Sequence, residues 1–385
     1  MTDEPAWTMG VEEEYLLVER DSGALITKQP PGLLEMVQDL RHGLVARELF
    51  SSQIEIGTGV CANVQELRAD IGLLRMAVAE AAAEYGMAPI AASSHPFARW
   101  LSQEYTQAER YQTLTKDLQA VTRRLLISGM HVHVGIEDPD LRIDLMDQVA
   151  YFLPHLLALS TSSPFWEGRD TGLKCYRLTV GEALPRTGLP EKFSSWSEFK
   201  RHVDVLVKAG IIKDSTMVWW HIRPSERYPT VEMRVTDLPT RMEDTIALAA
   251  LYVCLMRMLW RLRLQNRRWR SYANFLLSEN LWRAERYGVQ GELMDFGKGV
   301  LVPFGDLLEE LIELVQPDAE ALGCVAEIDH TRTICERGTS ADRQLATYHG
   351  ALEEGATEDE ALTAVVDALI ADTVALPETW QPGQS

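Results

Sequence analysis

The spacing of apolar residues changes period along the chain, and each change marks an element. Trp7–Val18 reads as a strand that closes at the turn signal Asp21-Ser22-Gly23. Ile127–Ile136 alternates with period two, and Met217–Ile222 and Thr230–Thr236 are further strands. Ala88–Ser94 is a short apolar run, the mark of a buried strand. Between these segments the spacing is helical. Gln65–Gly86 puts Leu67, Ile71, Leu74 and Val78 on one face; Glu104–Leu126 and Leu141–Ser160 follow, the latter entered or broken at Pro154. Ser197–Ala209 is helical and stops at Gly210. Glu167–Phe193, rich in Gly, Pro and Thr, predicts loop with the composition of a lid. From Arg241 onward the pattern is almost wholly helical. Strands confined to the first 240 residues and separated by helices predict an α+β fold, with helices on one face of a largely antiparallel sheet. Polar positions recur on several strands, so 1–385 reads as a single catalytic domain whose C-terminal part, from about 241, is helical.

Charge narrows the class. The chain carries 37 Lys and Arg against 57 Asp and Glu, a net charge of −20. Phosphate-backbone binding depends on basic residues, so neither nucleic acid nor an anionic membrane is expected as a partner. The opening MTDEPAWTMG lacks the basic n-region of a secretory signal. The longest apolar run, Thr245–Trp260, is interrupted by Arg257 and reads as a buried helix rather than a span. Cys61, Cys175, Cys254, Cys324 and Cys335 are scattered with no CxxC, which predicts reduced structural thiols and a cytoplasmic location.

The chemistry lies in the strands. In Gly10-Val11-Glu12-Glu13-Glu14-Tyr15, period two puts Glu12 and Glu14 on one face and Glu13 on the other. Gln53-Ile54-Glu55-Ile56-Gly57 sets one carboxylate between β-branched residues. Met130-His131-Val132-His133-Val134 aims two imidazoles to one side, and Val231-Glu232-Met233-Arg234-Val235 a carboxylate and a guanidinium. If these strands are neighbours, one side of the sheet packs helices and the other carries Glu12, Glu14, Glu55, His131, His133, Glu232 and Arg234. An ordinary solvated face mixes Thr, Ser, Lys and Gln. Carboxylates packed together repel unless cations neutralise them. Such donors, with one imidazole, suit Mg2+ or Mn2+ better than a structural zinc. Mg2+ binds through a few carboxylates plus substrate phosphates, which points to a nucleotide. No GxxxxGK[ST] and no GxGxxG follows a strand, so positive charge for phosphates must come from arginines: Arg234 first, with Arg177 and Arg223 near the same strands.

Seven segments carry a resemblance: MGVEEEYLLV (9–18), SSQIEIGTGVC (51–61), SGMHVHVGIEDPD (128–140), YRLTVGEALPRTGLP (176–190), WWHIRPSERYPTVEMRVTDLPT (219–240), ENLWRAERYG (279–288) and GTSADRQL (338–345). Together they resemble the bacterial carboxylate–amine ligases grouped with glutamate–cysteine ligase type 2, in the glutamine synthetase-like superfamily. The resemblance implies a curved, mostly antiparallel sheet with helices on its convex face and an open concave active site. It implies that Glu12, Glu14, Glu55, His131 and Glu232 hold Mg2+ or Mn2+. Arg234 would face the γ-phosphate of ATP or the acyl phosphate, with Arg177 and His133 beside the nucleotide or substrate. Arg223 resembles a contact to a substrate carboxylate or phosphate. Many relatives carry a short acid where this chain has His221, which predicts altered substrate contacts. The implied reaction is ATP-dependent amide formation through an acyl phosphate, from glutamate and cysteine in the leading case.

Two alternatives remain open on the same residues: a metal-dependent phosphotransferase of the guanidino-kinase type, and a catalytically weak nucleotide or metabolite sensor. Leu141–Ser160 is apolar enough to predict a subunit interface, and a homo-oligomer, preferably a dimer, is expected. His95, His155, His202 and His330 read as structural, and one of Trp219 and Trp220 as a candidate to line the pocket. The basic cluster Arg257, Arg261, Arg263, Arg267, Arg268 and Arg270 is expected to pair with the acids of the C-terminal segment or to form an oligomer contact.

Overall fold

The computed structural model describes residues 4–40 and 44–375, so part of the acidic C-terminal segment, 376–385, lies outside the described residues. Five strands come first in the chain: β1 (Met9–Glu19), β2 (Leu44–Arg47), β3 (Gln53–Gly57), β4 (Met87–Ile90) and β5 (Met130–Gly135). They join Ile222–Pro224 and Thr230–Met233 in a seven-stranded sheet, in the order Ile222–Pro224, Thr230–Met233, β5, β1, β3, β2. Every pairing in it is antiparallel. β4 pairs with residues 16–19 of β1, further along the edge that β5 occupies at residues 9–13.

The two faces of β1 have different fates. Met9, Val11, Tyr15 and Leu17 enter the main core with Ile54, Ile56, Val132 and Val134, packed under helices Val64–Ala83 and Met242–Leu264. The opposite face is polar at Glu12 and Glu14, then turns apolar: Leu16 and Val18 join a second cluster with Phe50, Ile90, Leu126, Phe165 and the inner side of helix Glu358–Val374. That cluster closes one end of the polar face.

Glu13, the middle acid of the triplet, is fully buried on the helix side. Arg75 of helix Val64–Ala83 holds it through Nη2 at 2.6 Å and Nε at 2.9 Å, Thr245 donates at 2.8 Å, and the Tyr15 hydroxyl donates as well. A buried charge with this many partners fixes how the helices dock on the sheet. Helix Met242–Leu264 is long and apolar enough to cross a membrane, but its most apolar stretch is mostly buried inside the protein. Glu243 and Asp244 in its first turn and Arg261 and Arg263 in its last complement the helix dipole.

Several expectations need correction. Strands are not confined to the first 240 residues, because Glu292–Asp295 and Val300–Pro303 pair within the helical part. Glu104–Leu126 shortens to Glu109–Leu118 and Ala120–Arg123, broken at Gln119, whose φ is 50. Leu141–Ser160 is two helices, Pro139–Val149 and Leu153–Ser160, with Pro154 in the first turn of the second, where a missing N–H costs little. Its apolar residues are buried within its own chain. The basic cluster pairs with Asp318, Asp144 and Asp147 rather than with the C-terminal acids: Arg257 and Arg261 reach Asp318, and Arg263 and Arg268 reach Asp144. Asp372 of the C-terminal segment instead binds Arg241 and Arg343.

Candidate active site

Strand register lines the functional residues into rows. Glu12 lies opposite His131 and Gly10 opposite His133; His133 is also opposite Glu232, which is opposite Arg223. On the other side of β1, Glu14 lies opposite Glu55, and Glu55 opposite Ala46. Two acidic groups follow from these rows.

The first is Glu12, His131 and Glu232, whose ligand atoms converge closely enough to hold a metal ion. Glu12 Oε2 is 3.0 Å from His131 Nδ1, and Glu12 Oε1 is 3.5 Å from His133 Nε2. Glu232 Oε1 lies 4.0 Å from His131 Nδ1 and accepts from Arg234 Nη1. Glu232 Oε2 accepts from Arg223 Nε at 2.9 Å and Nη2 at 2.8 Å. Burial alone would raise these carboxyls. The imidazoles beside Glu12 and the guanidiniums beside Glu232 outweigh it and hold both well below the usual range. His131 is pushed down by burial and by Arg234, whereas Glu12 overcomes burial to raise His133. Arg223 has no nitrogen to spare, since Nη1 donates to the carbonyls of Thr216 and Val218 at 2.9 and 3.0 Å. It braces Glu232.

The second group is Glu14, Glu48 and Glu55. Among the described residues no Lys, Arg or His forms an ion pair with Glu48 or Glu55. Glu14 accepts from the Gly129 N–H at 2.8 Å and lies 4.0 Å from His131 Nε2. Burial and the nearby Glu48 push Glu14 up to about 8 and Glu55 up to about 11. These are clustered oxygen donors that would release protons to a hard divalent cation. Glu48 is absent from the sequence reading. It follows β2 directly, two residues beyond Ala46, so period two puts it on the face of Glu55. A hairpin assignment for 44–57, with Ser51-Ser52 in the turn, would have found it.

Arg177 lies on the short helix Arg177–Gly181, in the segment expected as loop. A Cβ on Gly129 would stand 3.3 Å from its Nη1 and 3.6 Å from His131 Nε2, so Arg177 meets the polar face across Gly129. His221 is buried, and burial together with Arg177 and Arg234 pushes it down to about 3, leaving a neutral imidazole beside two guanidiniums. Trp220 packs against Phe193 and Phe199, and Trp219 lies under Arg186. His95 and His330 have structural partners, the Gly23 carbonyl and Asp244. A cleft of about 760 Å3 between Arg267, Trp269, Asp295 and Glu313 shares no residue with this face.

Residues 8–368 match the model of glutamate–cysteine ligase family 2. A Rhodospirillum rubrum protein with the provisional name glutamate–cysteine ligase 2 is 59% identical over 376 residues, covering 97% of each chain. A Jannaschia protein of the same provisional name is 51% identical over 366 residues, covering 95% of this chain and 96% of its own. Among solved structures, the glutamate–cysteine ligase of Francisella tularensis in complex with AMP superimposes with a TM-score of 0.68 at 12% identity, covering 97% of this chain and 90% of that one. The bifunctional glutathione synthetase of Pasteurella multocida gives 0.68 at 13% identity, covering 95% of this chain and 52% of that one. The α+β, glutamine synthetase-like fold expected from the sequence is the fold of these ligases. The chain belongs to glutamate–cysteine ligase family 2, whose class is the ATP-dependent ligase that forms amide bonds.

Proposed function

We propose that the polar face binds ATP with divalent cations and joins the γ-carboxyl of glutamate to the amine of cysteine through an acyl phosphate. The observation that carries this is the Glu14–Glu48–Glu55 group, set beside a second acidic group that arginines already balance. In this reading Glu14, Glu48 and Glu55 hold one cation, and Glu12, His131 and Glu232 hold another. When bound, the cations would neutralise the phosphates of ATP and the charge that develops during phosphoryl transfer. Arg234, fixed by Glu232, presents its guanidinium to the γ-phosphate or acyl phosphate, and Arg177 adds a second positive group across Gly129. Arg223 keeps Glu232 ionised and aimed. His133, held by Thr230 at 3.0 Å, borders the nucleotide or substrate. A carboxylate oxygen of the acid attacks the γ-phosphorus and ADP leaves. The neutral amine then attacks the acyl carbon, phosphate leaves, and the nitrogen releases one proton to solvent as the amide forms. Positioning and charge neutralisation do the catalysis, and no covalent enzyme nucleophile is needed. We further take 1–385 as one catalytic domain and its setting as the cytoplasm, where thiols stay reduced.

The test is ADP release from ATP with glutamate and cysteine, in Mg2+ and in Mn2+, with products identified by mass spectrometry. The dipeptide is expected. A stable phosphorylated product without an amide would favour the phosphotransferase, and nucleotide binding without turnover of any acid–amine pair would favour the sensor.

A further inference from the structure

Asp237 is fully buried and does not touch the polar face, yet four donors converge on its two oxygens. Ser162 N and Ser163 Oγ reach Oδ2, each at 2.8 Å. Arg177 Nε reaches Oδ1 at 2.8 Å, and Cys175 Sγ at 3.2 Å. Arg177 Nη2 donates to the carbonyls of Val235 and Thr236, both at 2.7 Å. A planar guanidinium held through Nε and Nη2 has no rotational freedom left. Its remaining nitrogen, Nη1, is aimed over Gly129 at the polar face.

Behind Asp237 lies the Gly338–Leu345 segment, which the sequence singled out and which contributes nothing directly to the site. Ala341 N donates to the Thr161 carbonyl at 3.0 Å, and the Thr161 and Thr339 hydroxyls are 2.8 Å apart. Gln344 Nε2 donates to the Ser162 carbonyl at 2.9 Å. Thr161, Ser162 and Ser163 are all fully buried, so this clamp sets where Ser162 and Ser163 meet Asp237.

We propose that Asp237 is a positioning residue that aims Arg177 Nη1 at a substrate oxyanion, and that the Gly338–Leu345 segment serves this by fixing Thr161–Ser163. This rests on the ligase reading above, in which the polar face holds ATP and a carboxylic acid. Either a phosphate or a carboxylate oxygen fits the same nitrogen, and separate KM values for ATP and for the acid tell which.

Asp237→Asn keeps the shape but removes the charge and sets an NH2 group against donors on one side, either Ser162 and Ser163 or Arg177 and Cys175. It is expected to raise KM for one anionic substrate about tenfold or more while kcat changes far less, with KM for the amine unmoved. Gly129→Ala puts a methyl 3.3 Å from Nη1 without touching Asp237, and should raise the same KM. Because both act on one nitrogen, the double variant should lose less than the product of the single effects. If Asp237→Asn does not fold, Gly129→Ala carries the test, and an unchanged KM there overturns the proposal. Folded Asp237→Asn with wild-type kinetics and only a lower melting temperature overturns it too. An inactive wild type would instead refute the ligase reading, which an active wild type with unaffected variants leaves intact.

Discussion

Glu232 and Glu55 stand on the same face of one sheet with two strands between them, and their surroundings are opposite. Glu232 is bracketed by Arg223 and Arg234, which hold its carboxyl well below the usual range against the effect of burial. Glu55 is half-buried against Glu48 and Glu14, and burial with Glu48 pushes it up to about 11. The protein pairs one acid with its own cations and gives the other no cationic partner among the described residues. Glu13, one residue from both Glu12 and Glu14, shows that the chain can satisfy a buried acid completely when its role is structural. In the ligase reading proposed above, that unsatisfied group is where a cation binds.

That contrast can be broken by paired substitutions. Glu232→Gln takes the buried carboxylate from two partly buried guanidiniums, so it should cost about 3 kcal/mol of stability, the low end for a broken buried pair, as well as activity. Chemical denaturation read alongside ADP release checks both. Glu55→Gln should lower turnover by about 10²–10³-fold, as loss of an electrostatic contact to the transition state does. Without added cation its stability should hold or rise, because a carboxyl that must take up a proton on folding is gone. Equal destabilisation by the two changes would mean that the two acidic groups are alike, and the contrast would fail. Glu48→Gln should be milder, about 10–100-fold in Mn2+ affinity by calorimetry, with the Arg223–Glu232 side of the face undisturbed.

Much of this face was legible in the sequence, and the reason is periodicity. Side chains two apart share a face, so Glu12 with Glu14, His131 with His133 and Glu232 with Arg234 could be placed before any register was known. Glu48 was missed because it lies just past a four-residue strand, too short for alternation to show. Asp237 was missed for another reason. It follows the last sheet strand, and its partners Ser162, Ser163 and Arg177 come from distant segments, so only tertiary packing brings them together. The late hairpin Glu292–Pro303 escaped because it sits between helices and pairs only with itself.

The smallest expected effect is also the most discriminating, because it separates the two groups without a mutation. In cation-free protein Glu14 at about 8 and Glu55 at about 11 hold protons that the unfolded chain, with carboxyls near about 4.3, has already released. The native state then binds more protons than the unfolded one, so stability falls as pH rises from about 4.3 through 8. A cation entering this group must displace those protons. Its affinity should therefore rise with pH, with proton release falling as pH passes through about 8, where Glu14 ionises unaided. The Glu12–His131–Glu232 group should release little, since both its carboxyls are already ionised. Mn2+ titrations at pH 6.5 and 8.5, each in two buffers of different ionisation heat, count the protons directly. Added Mn2+ should also raise Tm more at pH 8 than at pH 6, because the repulsion it relieves is larger there. Proton release that is absent at pH 6.5 would mean that the cation prefers the arginine-balanced group. Glu14 and Glu55 would then be protonated acids of the fold rather than metal ligands.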